Sequence, residues 1–158
     1  MKARLLPADR PASRPAPAAP RGGDEATAGF PLPAAIETLH RNGAITAHHV
    51  AAARFWATDY RIGVMGQEDP QLERTSCGLS RRALNGRLGS INRYRYIHDI
   101  IGYRYERVLI AALINNRPMR ELARSTRHDP AHMDSVMALL LDMLTRHYDA
   151  MPGHLWQG

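Results

Sequence analysis

The stretch from Asp129 to Tyr148 constrains the fold of this chain more than any other. Asp129-Pro130 joins a side chain that accepts hydrogen bonds from free helical N–H groups to a ring whose fixed φ suits the first helical turn. From there Met133, Val136, Met137, Leu140, Met143, Leu144 and Tyr148 recur at helical spacing, and Leu139 and Leu141 widen the apolar arc to about 200° at 100° per residue. Such a helix must bury most of its circumference. The arc is wider than one small bundle covers, so the helix over 133–148 is also expected to serve a homodimer contact. Its polar arc holds Asp134, Ser135, Asp142, Thr145 and Arg146.

The segments before it are cut by equally plain signals. Pro118 suits the first turn of a helix over 118–126 whose inner face is Met119, Leu122 and Ala123. The run 108–114 makes the helix from Tyr103 to Asn115 apolar on nearly all sides, which predicts the buried centre of the domain. Gly102 reads as the stop of a helix over 91–101, with Ser90 as its N-cap and Ile91, Tyr94, Ile97, His98 and Ile101 on one face. Nearer the N-terminus, Asn42-Gly43 stops a short helix over 34–41. Thr46 then opens a second that carries Val50, Ala53, Phe55, Trp56 and Tyr60 and ends before Gly63.

No segment reads as a strand. The expected fold is therefore all-α: a small helical bundle with a C-terminal, helix-turn-helix-like tri-helical core. The helical domain spans 34–150, with N-terminal helices over 34–62, a loop over 63–90 rich in Gly, Asp, Pro, Ser and Arg, and the core over 91–150. Residues 151–158 form a C-terminal extension. Residues 1–33 hold seven of the eleven prolines and no apolar period, which predicts a disordered Pro/Ala/Arg-rich tail.

Several function classes are disfavoured. Cys77 is the single cysteine, so no internal disulfide and no zinc-finger spacing is available. No apolar run approaches the roughly 18 residues of a membrane span, and the N-terminal apolar stretch is too short for a signal-peptide core. The expected setting is cytoplasmic, with no membrane partner. Nucleophile-elbow, zinc-protease, phosphate-loop and dinucleotide motifs are missing, so the chain is expected to be no enzyme and to carry no cofactor. His128 and His132 are four apart, but Asp129-Pro130 breaks the helix between them and no third ligand follows, so no metal is expected.

Charge points to an anionic partner. The formal net charge is +6, and twenty of the 21 basic residues are arginine. The surplus is concentrated in residues 81–128, where eleven arginines face only Asp99, Glu106 and Glu121. Arg117, Arg120, Arg124 and Arg127 are spaced 3, 4 and 3, within about 80° of helical arc, and would hold successive phosphates of DNA. Arg93, Arg95, Arg104 and Arg107 would support them. They interleave with tyrosines at 94–96 and 103–105, whose bland role is to line the rim of the core. The last helix counts against the usual groove-reading role, because Asp134, Asp142 and the following Asp149 make its exposed face acidic.

The segments Ala-His-His-Val-Ala-Ala-Ala-Arg-Phe-Trp-Ala-Thr-Asp-Tyr (47–60) and Leu-Leu-Asp-Met-Leu-Thr-Arg-His-Tyr (140–148) resemble an alphaproteobacterial helix-turn-helix-like domain of unknown function, over roughly residues 45–150. That family tends to have a Gly-Trp-Pro-like turn before its last helix. Here Thr126-Arg127-His128-Asp129-Pro130 keeps only the proline. Residues 106–144 are also similar in spacing to the DNA-binding region of sigma factors. The resemblance implies non-enzymatic DNA binding, as a regulator or adaptor in a bacterial or prophage setting. The alternative carried by the wide apolar arc is a helical protein-interaction or dimerisation module without nucleic acid.

Overall fold

A computed structural model describes residues 30–69 and 86–155. The tail reading over residues 1–29 and most of the 63–90 loop, Cys77 included, lie outside the described residues. The described chain is all-α with no strand. Helix α1 spans Ala34–Arg41 and α2 spans Ala47–Asp59, prolonged by a π turn over Tyr60–Val64. Helix α3 spans Arg87–Leu109, prolonged by a π turn over Ile110–Ile114. Helix α4 spans Met119–Thr126, α5 spans Pro130–Asp149, and a 3₁₀ turn over Gly153–Leu155 follows.

Local chemistry sets most of these boundaries. At α2 the Thr46 hydroxyl accepts from His49 N–H, and His49 Nδ1 accepts from Thr46 N–H at 3.1 Å. This is a capping box with histidine in the place that Glu or Gln usually takes. At α5 the Asp129 carboxylate accepts from Ala131 N–H at 2.9 Å, with Pro130 opening the helix. The two π turns close alike: Met65 N–H reaches Tyr60 C=O, and Asn115 N–H reaches Ile110 C=O. A left-handed residue follows each, Gly66 and Asn116, two residue types that tolerate that conformation.

Four boundaries differ from the sequence expectation. Helix α3 begins at Arg87 behind Gly86, so Ser90 is no N-cap; it is buried inside the helix within reach of Arg93. Helix α4 begins one residue after Pro118, which serves as its N-cap. Residues 30–33, expected in the tail, are built into the body, because Phe30 lies under the Arg61 guanidinium and Leu32 packs on the core. The extension is partly built into the body: Met151 is buried, and Leu155 C=O accepts from Arg93.

Gly102 does stop a helix, at φ 75° and ψ 165°, a conformation essentially reserved for glycine. The chain resumes as helix at once, so α3 is two rods meeting at an angle. Tyr94 O–H donates to Glu106, and His98 Nδ1 lies 3.0 Å from the same carboxylate. In a straight helix Tyr94 and Glu106 would sit about 18 Å apart along the axis. The bend closes that gap, and Glu106, buried at 3% exposure, is satisfied by two side chains from the far rod. Burial and the Glu106 carboxylate together push the Tyr94 hydroxyl pKa up.

The core gathers Trp56 from α2, Ile97 and Leu109 from α3, Leu113, Leu122 from α4, and Met133, Met137, Leu141 and Leu144 from α5, all essentially inaccessible. Each contributes on the order of 1.5–3 kcal/mol of transfer free energy. Trp56 stacks on Tyr60, and Tyr60 meets Tyr94 edge-on. Gly63 lies against the start of α3 so closely that an added Cβ would come within 2.8 Å of Ile91 N. Buried beside this contact is an ion pair: Arg93 Nε donates to both oxygens of Asp59 at 3.1 Å, and Nη2 to Oδ1 at 2.8 Å. Tyr148 O–H donates to Asp59 at 3.2 Å, so one carboxylate ties α2, α3 and α5 together. Burial pushes the Asp59 carboxyl up, while Arg93, Tyr148 and Ser90 oppose that shift.

Candidate functional site

The expected tri-helical core is open along one side. The second rod of α3 with its π turn, α4 and α5 enclose an open groove of about 1120 Å³. Val108, Ala111, Leu122, Met133, Val136, Leu140 and Met143 are among the apolar residues that line it. The wide apolar arc of α5 explains why. Met133, Met137, Leu141 and Leu144 are fully buried, Val136 and Met143 are half-buried, and Leu139 stands 71% exposed at the lip. The buried positions complete the core; the exposed flank of the arc faces the groove.

The other lip carries the second tyrosine–arginine repeat. Tyr103 and Tyr105 are 66% and 48% exposed, with Arg107 seated over the Tyr103 ring. The first repeat has the opposite fate: Tyr94 and Tyr96 are half-buried against the core. Arg104 and Arg107 line the groove on this side, and Arg117 and Arg127 line it from the ends of α4. Glu121 is the one acidic residue among the lining, and it accepts from Arg117 at 3.2 Å.

The four-arginine stripe is not one face of one helix. Arg117 precedes α4 because Pro118 disfavours helical backbone in the residue before it. Arg127 follows α4 in the left-handed conformation, φ 59°. Only Arg120 and Arg124 lie on the helix, exposed and apart from the groove lining. Arg93, expected to support a phosphate contact, is corrected outright. It is buried at 7% exposure and committed to Asp59, so it cannot reach a ligand. Arg95, Arg104 and Arg107 are exposed.

The acidic face of α5 is also partly spoken for. His48 Nε2 lies 3.0 Å from Asp149, and His49 Nε2 lies 3.4 Å from Asp142, which Arg146 also approaches at 3.0 Å. Since His49 Nδ1 accepts the Thr46 N–H, its Nε2 carries the proton and donates to Asp142. The adjacent histidines thus fasten the start of α2 to the end of α5, while Asp134 stands exposed one turn into α5, outside these contacts. His128 lines the groove, and His132 lies 3.8 Å from Asp129. Among the described residues no three His, Cys, Asp or Glu side chains converge as a metal site would need, and no helix is long and apolar enough to cross a membrane.

The excess width of the α5 arc signalled an uncovered apolar surface in the sequence, but helical periodicity marks which residues are apolar and not which elements wall them, so the groove's other residues on α3 and α4 were not foreseen. Comparison with protein-family models, with curated proteins and with solved structures finds no match to this chain.

Proposed function

We propose that this chain is a non-enzymatic helical interaction module that holds an amphipathic helix of a partner protein in the groove between α3, α4 and α5. The observation that carries the reading is the row of partly exposed apolar side chains along the groove, Val108, Ala111, Val136 and Met143, with Leu139 71% exposed at its edge. Helix-in-groove recognition of this kind is read through apolar anchors at i, i+3, i+4 and i+7. A phosphate backbone would engage the arginines but leave the apolar lining uncovered.

The test is fluorescence anisotropy with a labelled synthetic 16-residue helix carrying leucines at i, i+3, i+4 and i+7. Leu139→Glu should weaken binding at least tenfold while leaving the circular dichroism unchanged, since burying an unpaired charge costs more than a tenfold factor. Equal binding by wild type and variant refutes the groove as the site.

A second reading, a DNA-binding protein of helix-turn-helix type, is favoured by one observation: Arg95, Arg104, Arg107, Arg117, Arg120, Arg124 and Arg127 are all exposed. Its signature would be duplex affinity that falls by orders of magnitude between about 50 and 200 mM salt. Weak binding that ignores salt ends it.

A further inference from the structure

We infer that the helix accepted by the groove carries acidic side chains beside its apolar stripe. The inference rests on the interaction-module reading above and specifies its partner. Arginines line the groove from two elements, Arg104 and Arg107 from the second rod of α3 and Arg117 and Arg127 from the two ends of α4. Against them the lining offers one carboxylate, Glu121, already held by Arg117. A helix lying in the groove therefore buries its stripe on the half-buried Val108, Ala111, Val136 and Met143 and brings the side chains beside that stripe close to guanidinium groups. Glutamates or aspartates there gain charge-assisted hydrogen bonds; lysines would be repelled.

The same charges weigh against occupants from the chain itself. Residues 1–33 carry five basic against three acidic side chains, the same sign as the groove rim. Two copies meeting groove to groove would bring the arginine rims together.

The experiment uses the full chain and three labelled 16-residue peptides that share one leucine stripe and differ only in flanks of Glu, Gln or Lys. The glutamate peptide should bind about tenfold tighter than the glutamine peptide at low salt, as several exposed ion pairs together allow. The advantage should shrink as salt rises. Arg107→Glu should abolish the preference, whereas Arg95→Glu, an exposed arginine outside the groove lining, should keep it. If the glutamine peptide binds as tightly as the glutamate peptide, the acidic partner is wrong and the groove reading survives. If no peptide binds, both fall. Mixed-sequence duplex DNA displacing the glutamate peptide at the same salt, or self-association abolished by Leu139→Glu, assigns the surface to nucleic acid or to a second copy and overturns the inference.

Discussion

Replacing Arg93 by Met separates a structural arginine from the exposed ones. The guanidinium donates three hydrogen bonds to Asp59, at 2.8 and 3.1 Å, and both side chains are nearly inaccessible. Methionine fills similar length but leaves a buried carboxylate held by the hydroxyls of Tyr148 and Ser90 alone against the lost cation. Breaking a buried pair from one side costs about 3–5 kcal/mol. With a urea m value of about 1–3 kcal/mol/M, the midpoint should fall by roughly 2 M. The double variant Asp59→Asn with Arg93→Met should recover much of the loss, because neither a charge nor an unpaired cation is then buried. The pH dependence has a definite sign. Burial already raises the Asp59 pKa above its ordinary 3.8, and Arg93 is the main opposing influence. Without Arg93 the carboxyl rises further and binds its proton more tightly folded than unfolded. The penalty of Arg93→Met should therefore shrink as pH falls toward the ordinary carboxyl value and grow as pH rises through the raised one. Chemical unfolding at several pH values measures this. A midpoint shift worth less than about 1 kcal/mol would refute the buried-pair assignment, as would a penalty that grows on acidification.

Two further substitutions probe the backbone. Gly102→Ala has open space for its Cβ, so its cost comes from φ 75° alone; about 1–3 kcal/mol is expected, read by thermal unfolding, and an unchanged Tm would mean that the bend is not fixed there. Asp129→Ala removes the acceptor for Ala131 N–H and should cost about 1 kcal/mol. Asp129→Asn, which keeps an acceptor oxygen, should restore most of it.

The histidine clamps and the buried pair show how unevenly a sequence discloses its structure. Asn42-Gly43, Thr46, Gly102 and Asp129-Pro130 announce helix ends that the structure keeps, because each acts on backbone within a few residues of itself. Ser90 misleads for the same reason. It has the chemistry of a cap, but Gly86 lies one turn earlier, and Asp59 and Arg93 draw Ser90 inside.

By itself, then, the sequence determined the all-α class, the order of the helices and most of their ends, since steric limits on φ and local hydrogen-bond donors settle these without distant contacts. It also set the amount of apolar surface on α5. Only the tertiary structure decided what each side chain meets. Arg93 and Arg95 are two residues apart, yet one is sealed against Asp59 and the other stands in water. Tyr94 and Tyr103 sit in matching Tyr-Arg-Tyr repeats, yet one bonds Glu106 across the bend and the other edges an open groove. These outcomes depend on partners brought together by packing, such as His48 and Asp149, which are 101 positions apart in the chain. No local pattern carries that information, because burial and electrostatics are properties of the assembled neighbourhood.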